Sequence, residues 1–322
     1  MKAAFFIAGP TAVGKSEIAA DVARVLDAEI VSADAFQIYR GLDLLTAKPD
    51  AETMAKVPHH LVGAVSPLEE MNAEKFRQLA RRAIEEIHGR GKLAIVVGGS
   101  GLYIKALTHG LSHVPMSDPK LRAQLNELSL DQLRQKILEL DPETARSIDM
   151  KNRRRLVRAI EICLLTGRPI FAQRVHAVGA RVLTRGTGDL RLRTAASTGT
   201  FVFRDRDELY RRINCRVESM FKRGVIEEVH ATAALSETAS QMIGWHEIRE
   251  LEMSSESLPA CSSLQCVAQI QQATRRYAKR QLTWFRHQTN LRPLNLSLLT
   301  HNEAVKWISQ LAKAFAVAQG ND

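Results

Sequence analysis

A glycine-rich loop near the amino terminus carries the clearest chemical signal in this 322-residue sequence. It fits the pattern G-x-x-x-x-G-K-[ST] in full and consists of Gly9, Pro10, Thr11, Ala12, Val13, Gly14, Lys15 and Ser16. An apolar run precedes this glycine loop (residues 9–16) and a helical pattern follows it, as is typical of P-loop nucleotide-binding proteins. Backbone N–H groups would surround an anion, Lys15 would add a charge and Ser16 could bind Mg²⁺. The loop predicts phosphate binding without specifying a reaction.

An acidic residue, Asp34, follows the second predicted strand, EIVSA. A kinase or NTPase normally has a further acid at the end of a neighbouring strand to hold magnesium, but the apolar strand LAIVV (residues 93–97) is followed by Gly98-Gly99. Asp34 could cap a helix or hold magnesium through water, or its carboxylate could accept a proton or a hydrogen bond from a nucleophile. The glycines after LAIVV allow close approach and indicate either a tight turn or a site.

Positive charge is concentrated in one part of the chain. The formal net charge is +10, and residues 151–223 hold 18 lysines and arginines against 6 acidic residues. Residues 153–158, RRRLVR, begin a helix whose inward face is predicted to carry Leu156, Ile160 and Leu164. In a second helix, residues 267–286, one face is apolar and the other carries Arg275, Arg276, Lys279, Arg280 and Arg286. Such a run can be a solvated face, but its confinement favours a polyanionic partner such as nucleic acid or an acidic membrane surface.

The order of the predicted elements indicates an α/β fold. Strands alternate with helices up to about residue 115, which predicts parallel β-α-β units with ligands at the carboxyl ends of the strands. Residues 116–201 are predicted to form a helical, basic insertion that ends in a mobile basic loop, residues 175–200. Residues 202–322 are predicted to return to the core.

Cysteine spacing and hydropathy argue against several classes of protein. The four cysteines form no C-x-x-C pair, so incidental reduced thiols are expected and a zinc site is not. The amino-terminal apolar run is too short for a signal peptide or a membrane span, and no segment approaches about 18 apolar residues. We therefore expect a soluble cytoplasmic protein that does not bind membranes, with a monomer as the default.

Several segments together resemble the tRNA dimethylallyltransferases, also called tRNA isopentenyltransferases. They occur in the family's order and are GPTAVGKS (9–16), SADAFQIYRGLDLLTAKP (32–49), PHHLVG (58–63), VGGSGLYIKAL (97–107), RRLVRAIEI (154–162), LYRRINCRVESMFKRGVIEEV (209–229), QMIGWHEI (241–248) and TRRYAKRQLTWFR (274–286). The resemblance implies a P-loop NTPase-like parallel sheet core flanked by helices, with a helical insertion domain that grips tRNA.

The resemblance also implies a reaction, the transfer of a dimethylallyl group from dimethylallyl diphosphate to N6 of the adenosine just 3′ of the anticodon. Asp34 would be catalytic and take the proton of the amine, while Arg216, the glycine loop and Mg²⁺ bound by Ser16 would stabilise the departing diphosphate. The positions that match tRNA contacts of the family are Asp34, Ala35, Phe36, Gln37, Ser100, Arg122, Arg154, Arg155, Leu156, Val157, Arg158, Gln241, Met242, Ile243, Gly244, Trp245, His246, Lys279, Arg280, Gln281, Leu282, Thr283, Trp284, Phe285 and Arg286.

The sequence departs from the family pattern in a few places. Ala35 stands where the family usually has serine after its aspartate, which removes a hydrogen bond near the base. Trp245 replaces the usual tyrosine after Gly244. The stretch 175–200 is more basic than the resemblance implies.

Three other functions compete with this interpretation. An adenylate isopentenyltransferase would prenylate AMP, ADP or ATP, but a mononucleotide needs neither the basic insertion nor the cationic helix. A nucleoside or small-molecule kinase is disfavoured because the second acidic strand end is missing. An inactive RNA-binding protein is disfavoured because Lys15, Ser16 and Asp34 are all present.

Overall fold

The computed structural model describes residues 4–111, 115, 117–170, 199–254 and 261–320. The chain divides into two compact units, of which the first comprises Met1–Leu111 and Ala196–Asp322 and the second Ser112–Ala195, near the predicted limits of residues 116–201. Most of the predicted basic loop, residues 175–198, lies outside the described residues, while residues 199 and 200 begin a strand. None of the helices within these described ranges combines the length and the apolar character that crossing a membrane requires.

The first unit is built on a six-stranded sheet whose neighbouring strands are all parallel. In the order β3-β2-β4-β1-β5-β6 across the sheet, its strands are β1 (Phe5–Ala8), β2 (Glu29–Ser32), β3 (His59–His60), β4 (Ala94–Gly98), β5 (Gly199–Phe203) and β6 (Arg292–Asn295). Strands β1 and β4 are neighbours, with Ala8 opposite Gly98. The glycine loop after β1 and the glycine turn after β4 therefore lie side by side at the carboxyl edge of the sheet, where ligands bind in such folds.

The described helices connect and cover these strands. In chain order they are α1 (Lys15–Val25), α2 (Ala51–Lys56), α3 (Ala73–Gly89), α4 (Gly101–Thr108), α5 (Pro119–Glu127), α6 (Leu130–Leu140), α7 (Pro142–Ser147), α8 (Arg153–Thr166), α9 (Arg206–Lys222), α10 (Val225–Ala231), α11 (Trp245–Ser254), α12 (Cys261–Gln288) and α13 (His301–Gly320). Helices α5 to α8 belong to the second unit and the others to the first.

Both faces of the sheet are covered, which explains why its central strands are apolar without alternation. Phe5 and Ile7 pack on the side of α1 and α13, whereas Phe6 and Ala8 point to the other side, towards α3 and α11. This alternation follows from the two-residue period of a strand. The predicted α/β fold is confirmed.

The second unit packs its helices around a small apolar core. A side-chain cap starts each of the four described helices, α5 to α8; at α6, Ser129 and Gln132 form a reciprocal capping box. Leu156 and Ile160 of α8 are buried as predicted, but the prediction for Leu164 was wrong, because its exposure is 41%. Cys163 takes the inward place instead, since it lies only about 20° around the helix from Leu156, whereas Leu164 lies about 80° away.

Candidate active site

The glycine loop is held in place by three side chains from distant parts of the first unit. Nε of Arg212 donates to the Ala12 carbonyl at 2.9 Å, and Nε of Arg204 donates to the Val13 carbonyl at 3.0 Å. Oε1 of Gln281 accepts from the Thr11 N–H at 2.9 Å. Two consecutive carbonyls are thus bound by arginines, which leaves the N–H groups of the following residues available to an anion.

A cavity of about 570 Å³ lies beside this loop. Its wall includes Lys15 and Ser16 of the loop and α1, Asp34 and Gln37 after β2, and Arg216 of α9. The structure therefore brings the predicted catalytic and magnesium-binding residues together with most of the glycine loop, although they are up to two hundred positions apart. Gly9, Pro10 and Val13 of the predicted loop are buried and do not line the cavity.

Two cations of this cavity are poorly hydrated. Burial lowers the pKa of Lys15 to about 8, an effect that Asp34 opposes and Arg216 reinforces. The Nζ of Lys15 donates to the Pro10 carbonyl at 2.5 Å. Burial also lowers the pKa of Arg216 below its usual value, and its buried Nε has no hydrogen-bond partner among the described residues. Desolvated, incompletely paired cations of this kind suit an anionic ligand.

Asp34 lies on the cavity wall, directly before a turn. Its Oδ1 accepts from the backbone N–H groups of Phe36 at 3.0 Å and Gln37 at 3.3 Å, which leaves Oδ2 for a ligand. The backbone N–H of Ala35 donates to Oγ of Ser100 at 2.9 Å. No helix begins directly after Asp34, so the helix-cap interpretation was wrong: Oδ1 holds a turn, and the other oxygen is left as an acceptor in the cavity.

The glycines after β4 are explained by helix α12. A Cβ on Gly99 would lie 2.4 Å from Nε2 of Gln281, and a Cβ on Gly101 would lie 2.4 Å from the ring of Trp284. Both distances are far shorter than a van der Waals contact. These glycines let α12 approach the edge of the sheet, an outcome that the local sequence left open between a turn and a site.

The polar groups of the cavity can be tested against a magnesium ion. In the described part of the chain no cluster of three or more His, Cys, Asp or Glu side chains could hold a metal by itself. Ser16 and Asp34 offer a hydroxyl and a carboxylate in the same cavity. Mg²⁺ commonly takes one or two protein oxygens and completes its shell with water and substrate phosphate oxygens. The residues present therefore fit a Mg²⁺ ion that arrives with a diphosphate.

The positions matched to tRNA contacts in the first unit fall into three groups by exposure. The exposed ones are Gln241, His246, Lys279, Arg280, Thr283 and Arg286; the half-buried ones are Asp34, Ala35, Phe36, Gln37, Ile243, Leu282 and Trp284; the buried ones are Ser100, Met242, Gly244, Trp245, Gln281 and Phe285. The predicted basic face of α12 is exposed except at Arg275, which is half-buried and donates to Oδ1 of Asn214 at 2.7 Å. Phe285 packs in the core, as the helical period predicted.

In the second unit the matched positions also differ in accessibility. Arg154 and Arg155 are exposed, whereas Leu156 and Val157 are buried in the core of that unit. Arg122 and Arg158 both donate to Oε2 of Glu161, at 2.8 Å and 2.7 Å, and this carboxylate is fully buried. These two arginines therefore neutralise an internal acid, which a search for basic runs cannot distinguish from an RNA contact.

The sequence did not indicate that three side chains hold the glycine loop. Arg204, Arg212 and Gln281 lie 191, 200 and 270 positions from the loop residues they contact. Only Arg212 carries a local signal, because it precedes Arg216 by one turn on the same face of α9.

Comparisons with known proteins identify the family of the chain. A family model described as IPP transferase matches residues 37–288. A tRNA dimethylallyltransferase 1 from Citrifermentans bemidjiense is 41% identical over 283 residues, 87% of each chain, and a tRNA dimethylallyltransferase from Akkermansia muciniphila is 42% identical over 296 residues, 91% of this chain and 93% of that one. The crystal structure of the tRNA isopentenylpyrophosphate transferase from Bacillus halodurans is 30% identical, with a TM-score of 0.67 over 100% of this chain and 99% of that chain.

Proposed function

The chain belongs to the IPP transferase family, and from this premise we propose that it transfers a dimethylallyl group from dimethylallyl diphosphate to N6 of the adenosine just 3′ of the anticodon in tRNA. One observation carries the proposal for this chain: a single cavity contains the glycine loop, two desolvated cations and a carboxylate. This combination provides an anion site and a proton acceptor within reach of the same ligand.

In this proposal the glycine loop and the two cations bind the diphosphate. Nζ of Lys15 exchanges the Pro10 carbonyl for a diphosphate oxygen, and the buried Nε of Arg216 gains the acceptor that the described residues do not provide. Charge–charge interactions are stronger in a site from which water is excluded, so these groups stabilise the negative charge that grows on the leaving group.

At the other end of the cavity, Asp34 handles the proton. The exocyclic amine of adenine is a weak nucleophile because its lone pair is delocalised into the ring. That lone pair forms the new C–N bond to C1 of the allyl group, the C1–O bond breaks and its electron pair leaves with the diphosphate. Asp34 accepts the proton that the amine then loses, through the oxygen that the backbone does not occupy.

We further propose that the hydroxyl of Ser16 would hold a Mg²⁺ ion together with diphosphate oxygens, which leaves Asp34 for the proton. Bound there, the ion supplies Lewis-acid neutralisation of the leaving group.

The exposed cations of α12 and of the second unit are proposed to bind the tRNA backbone. Lys279, Arg280 and Arg286 in the first unit and Arg154 in the second are exposed. The target adenosine must leave its stack to reach the cavity, which costs a few kcal/mol (~2–4), and contacts with the backbone phosphates offset this cost. A monomeric state and a cytoplasmic location stay predictions from the sequence.

One assay with two parallel controls tests the proposed function against its competitors. The protein is incubated with labelled dimethylallyl diphosphate, Mg²⁺ and either an unmodified anticodon stem-loop or AMP, and the nucleosides are separated after digestion. We expect label on N6 of one adenosine in the RNA, and none when guanosine replaces that adenosine. Label on AMP alone would identify an adenylate isopentenyltransferase. RNA that is retained with the protein on a filter but carries no label would leave an inactive RNA-binding protein. Transfer of phosphate in a parallel incubation with γ-labelled ATP would identify a kinase.

A further inference from the structure

One glutamine of α12 joins the two loops that border the cavity. The side chain of Gln281 is 5% exposed; its Oε1 accepts from the Thr11 N–H at 2.9 Å and its Nε2 donates to the Gly99 carbonyl at 2.9 Å. A side chain at Gly99 would collide with this amide. The amide oxygen and the amide nitrogen are therefore both bonded to the protein backbone, whereas a direct RNA contact would need them to face the RNA.

These two hydrogen bonds lie on a continuous path between the ends of the cavity. Gln281 holds Thr11 at the start of the glycine loop on one side. On the other side it holds Gly99, whose neighbour Ser100 accepts the N–H of Ala35 next to Asp34. The path thus runs from the anion-binding loop, through one amide, to the turn that carries the carboxylate.

We propose that Gln281 is a positioning residue for the transfer reaction: it fixes the glycine loop relative to the turn Gly98–Gly101 and so sets the separation between the diphosphate and Asp34. It does not touch the substrate. Because its amide consumes the Thr11 N–H, that group is a structural donor, and the anion is bound by the N–H groups after it. The inference rests on the proposed function, since it assigns a role within that reaction.

The first test removes both hydrogen bonds while nearly preserving length and volume, with Gln281→Met. The matched control is Gln272→Met, an exposed glutamine on the same helix. Inorganic pyrophosphate is the probe, measured by titration calorimetry without RNA. We expect the Kd of the Gln281 variant for pyrophosphate to rise about tenfold, because the ligand must then order a glycine loop that these two hydrogen bonds no longer hold, with the KM for tRNA unchanged within about twofold. The control should match the wild-type protein in both measurements.

A second variant, read as a pH profile, tests the donor end of the amide. In Gln281→Glu the ionised carboxylate still accepts the Thr11 N–H but repels the Gly99 carbonyl, whereas the protonated acid can donate to that carbonyl. Burial raises the pKa of such a carboxyl group. The pyrophosphate affinity of this variant, divided by that of the wild type at each pH, should therefore recover as the pH falls from about 8 to about 6.

Specific outcomes would overturn the inference. Weaker tRNA binding with unchanged pyrophosphate affinity in Gln281→Met would make this residue an RNA contact, and a pH-independent ratio for Gln281→Glu would exclude the donor role towards Gly99. Thermal unfolding is recorded for each variant, and should the methionine variant fail to fold, the glutamate variant carries the test. Pyrophosphate binding needs neither RNA nor prenyl donor, so a wild-type protein that never labels RNA would refute the proposed function without changing this result.

Discussion

Replacing Lys15 by methionine should stabilise the ligand-free first unit while abolishing its affinity for pyrophosphate. The charge of Lys15 serves to bind an anion in the proposed function, yet the folded protein removes much of the hydration of that charge. Methionine has a similar length, fills the same space and carries no charge to desolvate. The substitution also removes the hydrogen bond to the Pro10 carbonyl, which reduces the gain.

The magnitude follows from the pKa of Lys15, which burial lowers from 10.5 to about 8. At about 1.4 kcal/mol per pH unit, holding the charged lysine costs roughly 3 kcal/mol at pH 7. Below pH 8 both folded and unfolded states are protonated and the cost is complete. Between pH 8 and pH 10.5 the unfolded state binds more protons, so the wild type gains stability as the pH rises. The advantage of the variant should therefore fall to roughly 1.4 kcal/mol at about pH 9.5 and vanish above the ordinary pKa of lysine.

Urea unfolding followed by tryptophan fluorescence reports the stability of the first unit, to which Lys15 belongs. Trp245, Trp284 and Trp307 are the three tryptophans of the chain, and all belong to the first unit. Lys105→Met, at an exposed position of α4, is the control and should change the free energy of unfolding by less than about 0.5 kcal/mol. An unchanged or lower stability of the Lys15 variant at pH 7, or a difference that does not shrink with rising pH, would refute the reasoning.

Three further predictions concern other residues of the two units. Asp34→Asn keeps an Oδ1 acceptor for its turn, so the protein should fold normally while the transfer rate falls at least about a hundredfold; a near-normal rate would exclude Asp34 as the base. Arg154→Ala should lower the slope of log Kd for tRNA against log salt by about 0.7–0.9, whereas Arg146→Ala, which removes another exposed arginine of the second unit, should not. Equal slopes for both variants would return Arg154 to an ordinary solvated position. Glu161→Gln should destabilise the second unit by about 3 kcal/mol, seen as faster hydrogen exchange in α8, because it leaves two arginines facing a neutral group; unchanged exchange would contradict this.

The same glutamate predicts acid sensitivity of the second unit. Burial alone would raise the pKa of Glu161, but hydrogen bonds from Arg158, Ser117 and Arg122 lower it below its usual value. A lowered folded-state pKa stabilises the fold above the ordinary pKa of glutamate, and this stabilisation is lost as the pH falls through the folded-state value. The same loss of protection in α8 should therefore appear in the wild type at low pH, once the exchange rates are corrected for the slower intrinsic exchange of amides in acid.

Local patterns were sufficient for the elements that begin and end within a few residues of their signals. The continuous apolar runs predicted β1 and β4, and the loop after β1 was identified by its own residues. The helical period of α12 correctly separated a basic face from Phe285 in the core. These features depend on residues that are close together in the chain, so local sequence patterns predict them.

The elements that the sequence did not predict depend on tertiary contacts. Strand β3 has two residues, His59 and His60, and exists only because it pairs with β2. Strand β6 contains Pro293, which is tolerated because this strand is at the edge of the sheet. The same limit applies to the site, where Asp34 and Lys15 were predicted but the amide of Gln281 was assigned to RNA, because burial cannot be read from a motif.

The side chains that hold the glycine loop have a consequence for the newly made chain. The loop leaves the ribosome first, but Arg204, Arg212 and Gln281 follow it by roughly two hundred residues or more. Until α12 has been synthesised and has packed against the sheet, the nascent polypeptide has the motif without the geometry. A translation product that stops before α12 would therefore lack a formed anion pocket. The chain would become able to bind a diphosphate only after α12 has been made.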